Sequence, residues 1–558
     1  MINIQDNVKY WLENKNVSNE LKDQISEMND DDKSLSFSDD LIKFGTAGYR
    51  AIMGPGNKFL NEWTYKQLTI AYAKFLKEKF PNKETIKILV GHDNRKNGVF
   101  FAEIIASTLI NLNFEVYFYD NNEPIATPII SYIIKKNNLD GGINITASHN
   151  PKEYNGFKAY NNLGGQLLPN ESDRISNLLE NWKTNLNEPI IDLSKKVKYI
   201  DKSILQEYFK EVMSEATFSR DYKDNNKIKV VYTAHHGAAS FVAEELLKDK
   251  LNYDVIKVKE QCFYDTLFIN SPYPNPEDEK SFDLALEYAE KNNANIILGF
   301  DPDADRLGIV VKHKDKWNFL SGNQAGTLLS YYILKNKDFK NKTPAIISTY
   351  VSTNIIDELK KIKDVQIIRT GTGFKFIAEA IDLLDKDKTI YCIGFEEAIG
   401  SCPSDLNRDK DGFQTAALVM EVYKKCQENN MTLIDYLNDE IYPQIGFIAN
   451  RTISTVIKGN DWLERAESLK QLALQYNKKN LLKRNIIDIK YNEAGECIEW
   501  HLENNSWIKF RTSGTEPKFK MYFNLRNENY DGDSAFIIEQ LNNEINELRD
   551  LIINELKI

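Results

Sequence analysis

Apolar residues in this chain fall into short continuous runs separated by longer stretches of helical spacing. "IKILV" at 86–90 reads as a strand, and "FFAEIIASTLINLNF" after it repeats its apolar positions every three to four residues. The same alternation returns as "KIKVVYT", "AASFVAEELLKDK" and "ANIILGF", then as "PAIISTY", "NIIDELKKI", "VQIIRT" and "TIYCIGF". Strands alternating with helix-length amphipathic segments are the pattern of βαβ units. The last stretch differs: "NNSWIKFRTSGTEPKFKMYFNLR" reads as strands and "SAFIIEQLNNEINELRDLIINEL" as one long helix. The pattern therefore predicts three similar mixed-sheet α/β domains and a C-terminal α+β domain. Polar and basic interruptions place a helical lead-in over 1–40 and domains over 41–195, 205–312, 322–445 and 455–558.

A chain of 558 residues is too long for one hydrophobic core, which agrees with several domains. No apolar run approaches membrane-spanning length, and the first residues, "MINIQDNVKYWLENKN", lack the basic-then-apolar pattern of a secretory signal. A formal charge of -11 argues against nucleic-acid binding, which needs a basic face, yet leaves room for an anionic small ligand in a locally positive cleft. The five cysteines show no CxxC spacing, so neither a disulfide framework nor a zinc knuckle is expected, and a reducing, cytoplasmic setting fits.

Four loops carry candidate chemistry. In "GGINITASHNPKEYNGFK", Ser148 follows an apolar strand end; a serine hydroxyl is a weak nucleophile that needs a base or a metal, and Ser-His-Asn-Pro is equally a turn signal. In "DPDADRLG", Asp301, Asp303 and Asp305 alternate between two apolar runs and can converge on one hard divalent cation; an EF-hand is excluded because Arg306 and Lys312 stand where Gly and Glu are required. A solvated acidic turn is the competing reading. In "GFEEAIG", Glu396 and Glu397 are acceptors for sugar hydroxyls, and in "NRDKDG" downstream Arg408 and Lys410 are available for an anion or for proton transfer, or make an exposed charged turn. In "RTSGTEPKFK", Arg511, Ser513 and Thr515 flank Gly514, a donor cluster that can nest a phosphate or form a plain turn. One loop per predicted domain implies a central cleft and a phosphosugar substrate.

At these residues the chain resembles the α-D-phosphohexomutases, the phosphoglucomutase/phosphomannomutase family. "TASHNP", "DPDADR", "GFEEAIG" and "RTSGTEPK" match its four signatures in order, with supporting matches at "FGTAGYR", "GHDNR", "PNPE", "TGTGFK" and "RDKDG". The resemblance implies an isomerase that interconverts hexose 1-phosphate and hexose 6-phosphate, with glucose or mannose as the sugar. It implies that Ser148 carries a phosphoryl group and passes through a hexose 1,6-bisphosphate, which also serves as activator. One Mg²⁺ per chain is implied at Ser148, Asp301, Asp303 and Asp305, with Arg306 as electrostatic support. Arg50, Lys158 and Lys410 match positions with electrostatic or acid/base roles, and His149 is expected to support the serine loop. Glu396, Lys375, Arg408, Arg511, Ser513, Gly514 and Thr515 are the implied substrate contacts. Ala398, where the family usually has serine, and Lys58, where arginine is common, bear on sugar choice and leave the transfer machinery untouched. A phosphopentomutase and a non-catalytic phosphosugar sensor are the alternatives.

Overall fold

A computed structural model of the protein describes residues 4–38, 42, 44–45, 48–180, 182, 196–457, 461–512, 518–527, 530 and 534–556. The chain forms two compact units, one made of Met1–Ile309 with Asp405–Ala417, the other of Val310–Ser404 with Leu418–Ile558.

The first unit begins with three short helices, Ile4–Glu13, Asn19–Glu27 and Asp30–Ser36. The second and third are capped by the side chains of Ser18 and Asn29, which accept first-turn N–H groups. Trp11, Val17, Leu21, Ile25 and Phe37 give this lead-in an apolar cluster of its own.

A six-stranded sheet follows, built from β1 (Tyr49–Ile52), β2 (Lys87–His92), β3 (Glu115–Tyr119), β4 (Gly141–Ile145), β5 (Tyr154–Tyr160) and β6 (Lys198–Ile200), in the order β1-β5-β4-β2-β3-β6. β2 pairs in parallel with β3 and β4, and β3 with β6, while β5 runs antiparallel to β4 and β1. β4 is buried along its whole length, which is why "GGINI" reads as a continuous run rather than an alternation. β6 lies beyond residue 195, where the sequence pattern ends the first domain, because its three residues extend the parallel edge at β3.

In the same unit β7 (Lys229–Thr233) pairs in parallel with β8 (Asp254–Lys257) and β9 (Ile296–Phe300), and β9 is again buried throughout. The chain continues through β10 (Leu307–His313) and β11 (Lys316–Leu320).

The second unit holds two sheets. One has β12 (Thr343–Thr349), β13 (Gln366–Thr370), β14 (Thr389–Phe395) and β15 (Ser401–Cys402) in the order β13-β12-β14-β15, parallel except for the antiparallel edge strand β15. The other is antiparallel: β16 (Phe447–Val456), β17 (Asn480–Leu481), β18 (Arg484–Asn492), β19 (Cys497–Leu502), β20 (Trp507–Thr512) and β21 (Lys518–Asn527), ordered β16-β21-β20-β19-β18-β17. Helices Trp462–Leu474 and Ser534–Leu556 pack on it, so the strands-then-helix reading of the C-terminal stretch holds. The three α/β sheets and the antiparallel sheet are the architecture that the hydrophobic pattern predicts. All five cysteines are buried free thiols. Among the described residues no helix is long and apolar enough to cross a membrane.

Candidate active site

In parallel α/β sheets, ligands gather beyond the carboxyl ends of the strands. Ser148 lies just after β4, Asp301 directly after β9 and Glu396 directly after β14. Ser148 has φ 52°, a left-handed backbone that non-glycine residues adopt only where the surroundings enforce it. Its hydroxyl donates to Asp301 Oδ2 at 2.8 Å, and its N–H donates to Thr146 Oγ1 at 2.9 Å. The turn that Ser-His-Asn-Pro signals is present, and it aims the hydroxyl at the acidic loop.

Asp301, Asp303 and Asp305 converge, each offering a carboxylate oxygen within 4.8 Å of the others, and all three are buried. That burial excludes a solvated acidic turn. Ala304, at φ 58°, makes the tight turn that folds the three side chains together. Burial first, then the charges of Asp303 and Asp305, push the Asp301 carboxyl well above its ordinary range. Burial would push Asp305 up as well, but Lys410, Lys158 and Arg306 hold it far below the usual carboxylate range. Asp303 Oδ1 and Asp305 Oδ1 are buried without a hydrogen-bond partner. Crowded, dry carboxylate oxygens, two of them unpartnered, fit a hard divalent cation such as Mg²⁺.

Two lysines face this trio. Lys158, on β5 opposite Asn144, has its ammonium 3.0 Å from Asp305, 3.2 Å from Asp409 and 3.7 Å from Asp303. Lys410 lies 3.1 Å from Asp305 and keeps 12% of its side chain exposed, against 2% for Lys158. The backbone N–H of Arg306 donates to Asp301 at 3.0 Å, and its guanidinium pairs with Glu277 of "PNPE" at 3.1 Å.

His149 Nδ1 is 3.3 Å from the Ser148 hydroxyl. Burial, and after it Arg306 and Arg50, hold its pKa well below the ordinary histidine value, so the ring is neutral and serves as a hydrogen-bonding partner. Arg50 lies on β1 opposite Gly156. Arg408, expected to be available for an anion, is buried; its guanidinium contacts Asp405 and donates to the Asn407 carbonyl, and its N–H donates to Ser131. That guanidinium braces the 405–408 turn.

Several site residues carry no obvious chemistry in the sequence. Thr127 donates to Asp303 Oδ2 at 2.8 Å and is itself held by Asn144. Asp409 collects Lys158, Tyr160 and Gln166. Asp93 and Arg95 of "GHDNR" bind the serine loop from beneath. Only the matched runs around Asp93, Arg95 and Asp409 could have flagged them; Thr127 lies outside every motif.

In the second unit, Glu397 accepts from Thr349 and Ser352, each at 3.2 Å, and Glu396 accepts from the Gly373 N–H at 3.1 Å. The "GFEEAIG" loop lies against the start of helix Gly322–Asn336, where a Cβ at Gly322 would come within 2.4 Å of the Glu397 carbonyl. Lys375 is buried on helix Phe374–Asp382. Arg511 sits at the end of β20 with its Nε buried and unpartnered. Ser513, Gly514 and Thr515, the expected phosphate nest, lie outside the described residues.

Comparison with known proteins adds to this geometry. Family models for phosphoglucomutase/phosphomannomutase alpha/beta/alpha domains I, II and III match residues 41–186, 206–314 and 321–442. A phosphomannomutase of Mycoplasmoides pirum is 42% identical, covering 94% of this chain and 95% of the relative. A phosphoglucomutase of Staphylococcus saprophyticus is 30% identical over 93% of this chain and 97% of its own. The crystal structure of a phosphoglucomutase/phosphomannomutase family protein from Burkholderia thailandensis shares the fold, with a TM-score of 0.67 at 17% identity over 93% of this chain and 98% of that one.

Proposed function

The chain belongs to the phosphoglucomutase/phosphomannomutase family and is a hexose phosphate mutase, an isomerase; on that premise we propose that it interconverts hexose 1- and 6-phosphates through a phosphoserine at Ser148 and a hexose 1,6-bisphosphate. The observation that carries this reading is the Ser148 hydroxyl donating to Asp301 at 2.8 Å inside the buried aspartate trio. Phosphoryl transfer needs little covalent participation by the protein beyond a nucleophile; it needs positioning and charge neutralisation.

Asp301, Asp303, Asp305 and the Ser148 phosphate would hold one Mg²⁺ per chain. Bound there, the ion supplies electrophilic polarisation of the phosphoryl group. In the forward transfer the bond from Ser148 Oγ to phosphorus breaks and a bond from phosphorus to the free sugar hydroxyl forms. That hydroxyl loses a proton and the serine oxygen gains one. Lys410, paired with Asp305 and in contact with solvent, is the side chain we assign to carry it. Lys158, enclosed by Asp303, Asp305 and Asp409, neutralises charge with Arg50 and Arg306. After the bisphosphate turns round, its other phosphate returns to Ser148 Oγ, and the released sugar oxygen takes up a proton. Glu396 reads the sugar hydroxyls, and Lys375 and Arg511, with Ser513, Gly514 and Thr515, hold the phosphate that is not reacting. Hexose 1,6-bisphosphate activates by rephosphorylating Ser148.

The test combines peptide mass spectrometry of Ser148 with coupled mutase assays on glucose, mannose and ribose 1-phosphates. Phosphate on Ser148, Mg²⁺-dependent turnover stimulated by glucose 1,6-bisphosphate, and loss of both in Ser148→Ala are expected. A higher kcat/KM for ribose 1-phosphate would make the enzyme a phosphopentomutase. Sugar-phosphate binding without phosphate on Ser148 would make it a sensor.

A further inference from the structure

We propose that Arg95 is a positioning residue for phosphoryl transfer: the buried Asp93–Arg95 pair holds both peptide groups of Ser148 and so enforces the left-handed backbone that points its hydroxyl at Asp301. The inference rests on the phosphoserine reading above.

An arginine side chain has five N–H donors in a rigid planar fork. Each donor of Arg95 has an acceptor. Nε donates to Asp93 Oδ2 at 3.2 Å, Nη1 to the carbonyls of Pro151 and Tyr154 at 2.8 and 2.9 Å, and Nη2 to the carbonyls of Ser148 and Asn150, both at 2.6 Å. Four of the five acceptors are main-chain oxygens between Ser148 and Tyr154. Ahead of the β5 pairing this segment carries few backbone hydrogen bonds, Asn150 N to Ala147 O, Tyr154 N to Pro151 O and Met53 N to Glu153 O. One guanidinium thus does for the loop what a ladder of strand hydrogen bonds does for β4.

The second arm starts from the same ion pair. Asp93 Oδ2 accepts from Thr146 Oγ1 at 2.6 Å, and Thr146 Oγ1 accepts the Ser148 N–H at 2.9 Å. The N–H and the C=O of Ser148 are therefore tied to one carboxylate–guanidinium unit by two routes, closing a ring around the residue. Arg95 is 2% exposed and Asp93 fully buried, and the Phe268 ring centroid lies 5.2 Å from the guanidinium carbon, so neither arm competes with water. A residue at φ 52° persists only when its surroundings over-determine it, and here they do. Lysine, with a point charge and three donors, cannot replace the fork.

A positioning role and a purely structural one differ in what they move. The experiment follows the rate at which purified protein acquires phosphate on Ser148 from glucose 1,6-bisphosphate, together with kcat and KM for glucose 1-phosphate, in Arg95→Ala, Thr146→Val and Thr146→Ser. Thermal unfolding of each variant is the folding control. Arg95→Ala is expected to lose about 100-fold in the rate of Ser148 phosphorylation and in kcat, with KM nearly unchanged, the scale of a misplaced reacting group. Millimolar guanidinium should restore part of the rate with saturation, and ammonium should not. Thr146→Val should fall about 10-fold by the same argument, and Thr146→Ser, which keeps the hydroxyl, should recover most of that loss. If Arg95→Ala folds yet accepts phosphate at the unmodified rate, or if guanidinium and ammonium act alike, the proposal is overturned. If Arg95→Ala does not fold, the threonine pair decides: equal rates in Thr146→Val and Thr146→Ser overturn it. Should the unmodified protein never accept phosphate on Ser148, the phosphoserine reading itself is what has failed.

Discussion

The ammonium of Lys158 stands 3.2 Å from the carboxylate of Asp409, a residue 251 positions further along the chain, and both side chains are buried. Asp409 also accepts from Tyr160 at 3.1 Å and Gln166 at 2.9 Å, so its carboxylate is held in place for Lys158. A buried cation needs such a partner, and Asp305 and Asp303 cannot be its sole counterions if they also serve a divalent ion.

Replacing Asp409 by Asn removes that partner and leaves Lys158 charged in a dry site. Breaking a buried pair from one side costs about 3–5 kcal/mol, so Asp409→Asn should unfold at markedly lower urea concentration. The double variant Asp409→Asn/Lys158→Met should lose less than the two single losses combined, because neither charge is then stranded. Strict additivity in the urea midpoints would show that the two residues do not act as a pair.

The aspartate trio should make stability depend on divalent cation. At a free Mg²⁺ concentration 100 times Kd, binding to the folded state alone stabilises by about 2.7 kcal/mol. Differential scanning calorimetry should show Tm rising with Mg²⁺ and returning on chelation. Asp303→Asn should flatten the response, since it removes a ligand charge. An identical Mg²⁺-dependent rise in that variant would relocate the ion elsewhere.

Gly237 is a packing constraint on the metal loop. A Cβ there would lie 2.3 Å from Pro302 Cα, and the next residue, Ala238, donates its N–H to the Pro302 carbonyl at 2.7 Å. Gly237→Ala must displace the backbone beside Asp301 and Asp303. Mg²⁺ affinity measured by isothermal titration calorimetry should fall at least about 10-fold, the scale of losing support behind metal ligands. Unchanged affinity would mean that the loop tolerates the shift.

Acid should weaken β19 and its neighbours through Glu499. Burial would raise this carboxyl, but His501, Lys509 and Asn492 outweigh it and bring it from 4.5 down to about 2. The Lys509 ammonium lies 2.7 Å away. A depressed carboxyl binds fewer protons folded than unfolded, so its stabilisation is complete above pH 4.5 and is lost as pH falls through about 2. Protection factors of amides in residues 497–512, taken relative to the intrinsic exchange rate at each pH, should fall across that window, and less steeply in Glu499→Gln. Parallel pH profiles for the two proteins would refute the assignment.

Much of the candidate site can be read from the chain because each piece of chemistry follows an apolar strand within a contiguous run. β4 leads to Ser148, β9 to Asp301, Asp303 and Asp305, and β14 to Glu396. Arg408 misled the reading: a guanidinium beside a lysine in a charged turn looks like an anion site, yet burial turned it inward to brace its own loop. Thr127 was silent, and Arg95 and Asp409 showed only as members of matched runs, because their partners, main-chain carbonyls and charged groups on other elements, leave no mark on local composition.

Sequence alone determined the fold class, three α/β sheets followed by an α+β stretch, and the chain positions of the four candidate loops, since periodicity and motif chemistry are local properties. Which side chains act on one another was decided only by tertiary structure: Lys158 among three aspartates, His149 kept neutral in the field of Arg306 and Arg50, and a serine held at both peptide groups by one ion pair. Charge and hydrogen-bond energies depend on distance and on the exclusion of water, and a linear order of residues specifies neither.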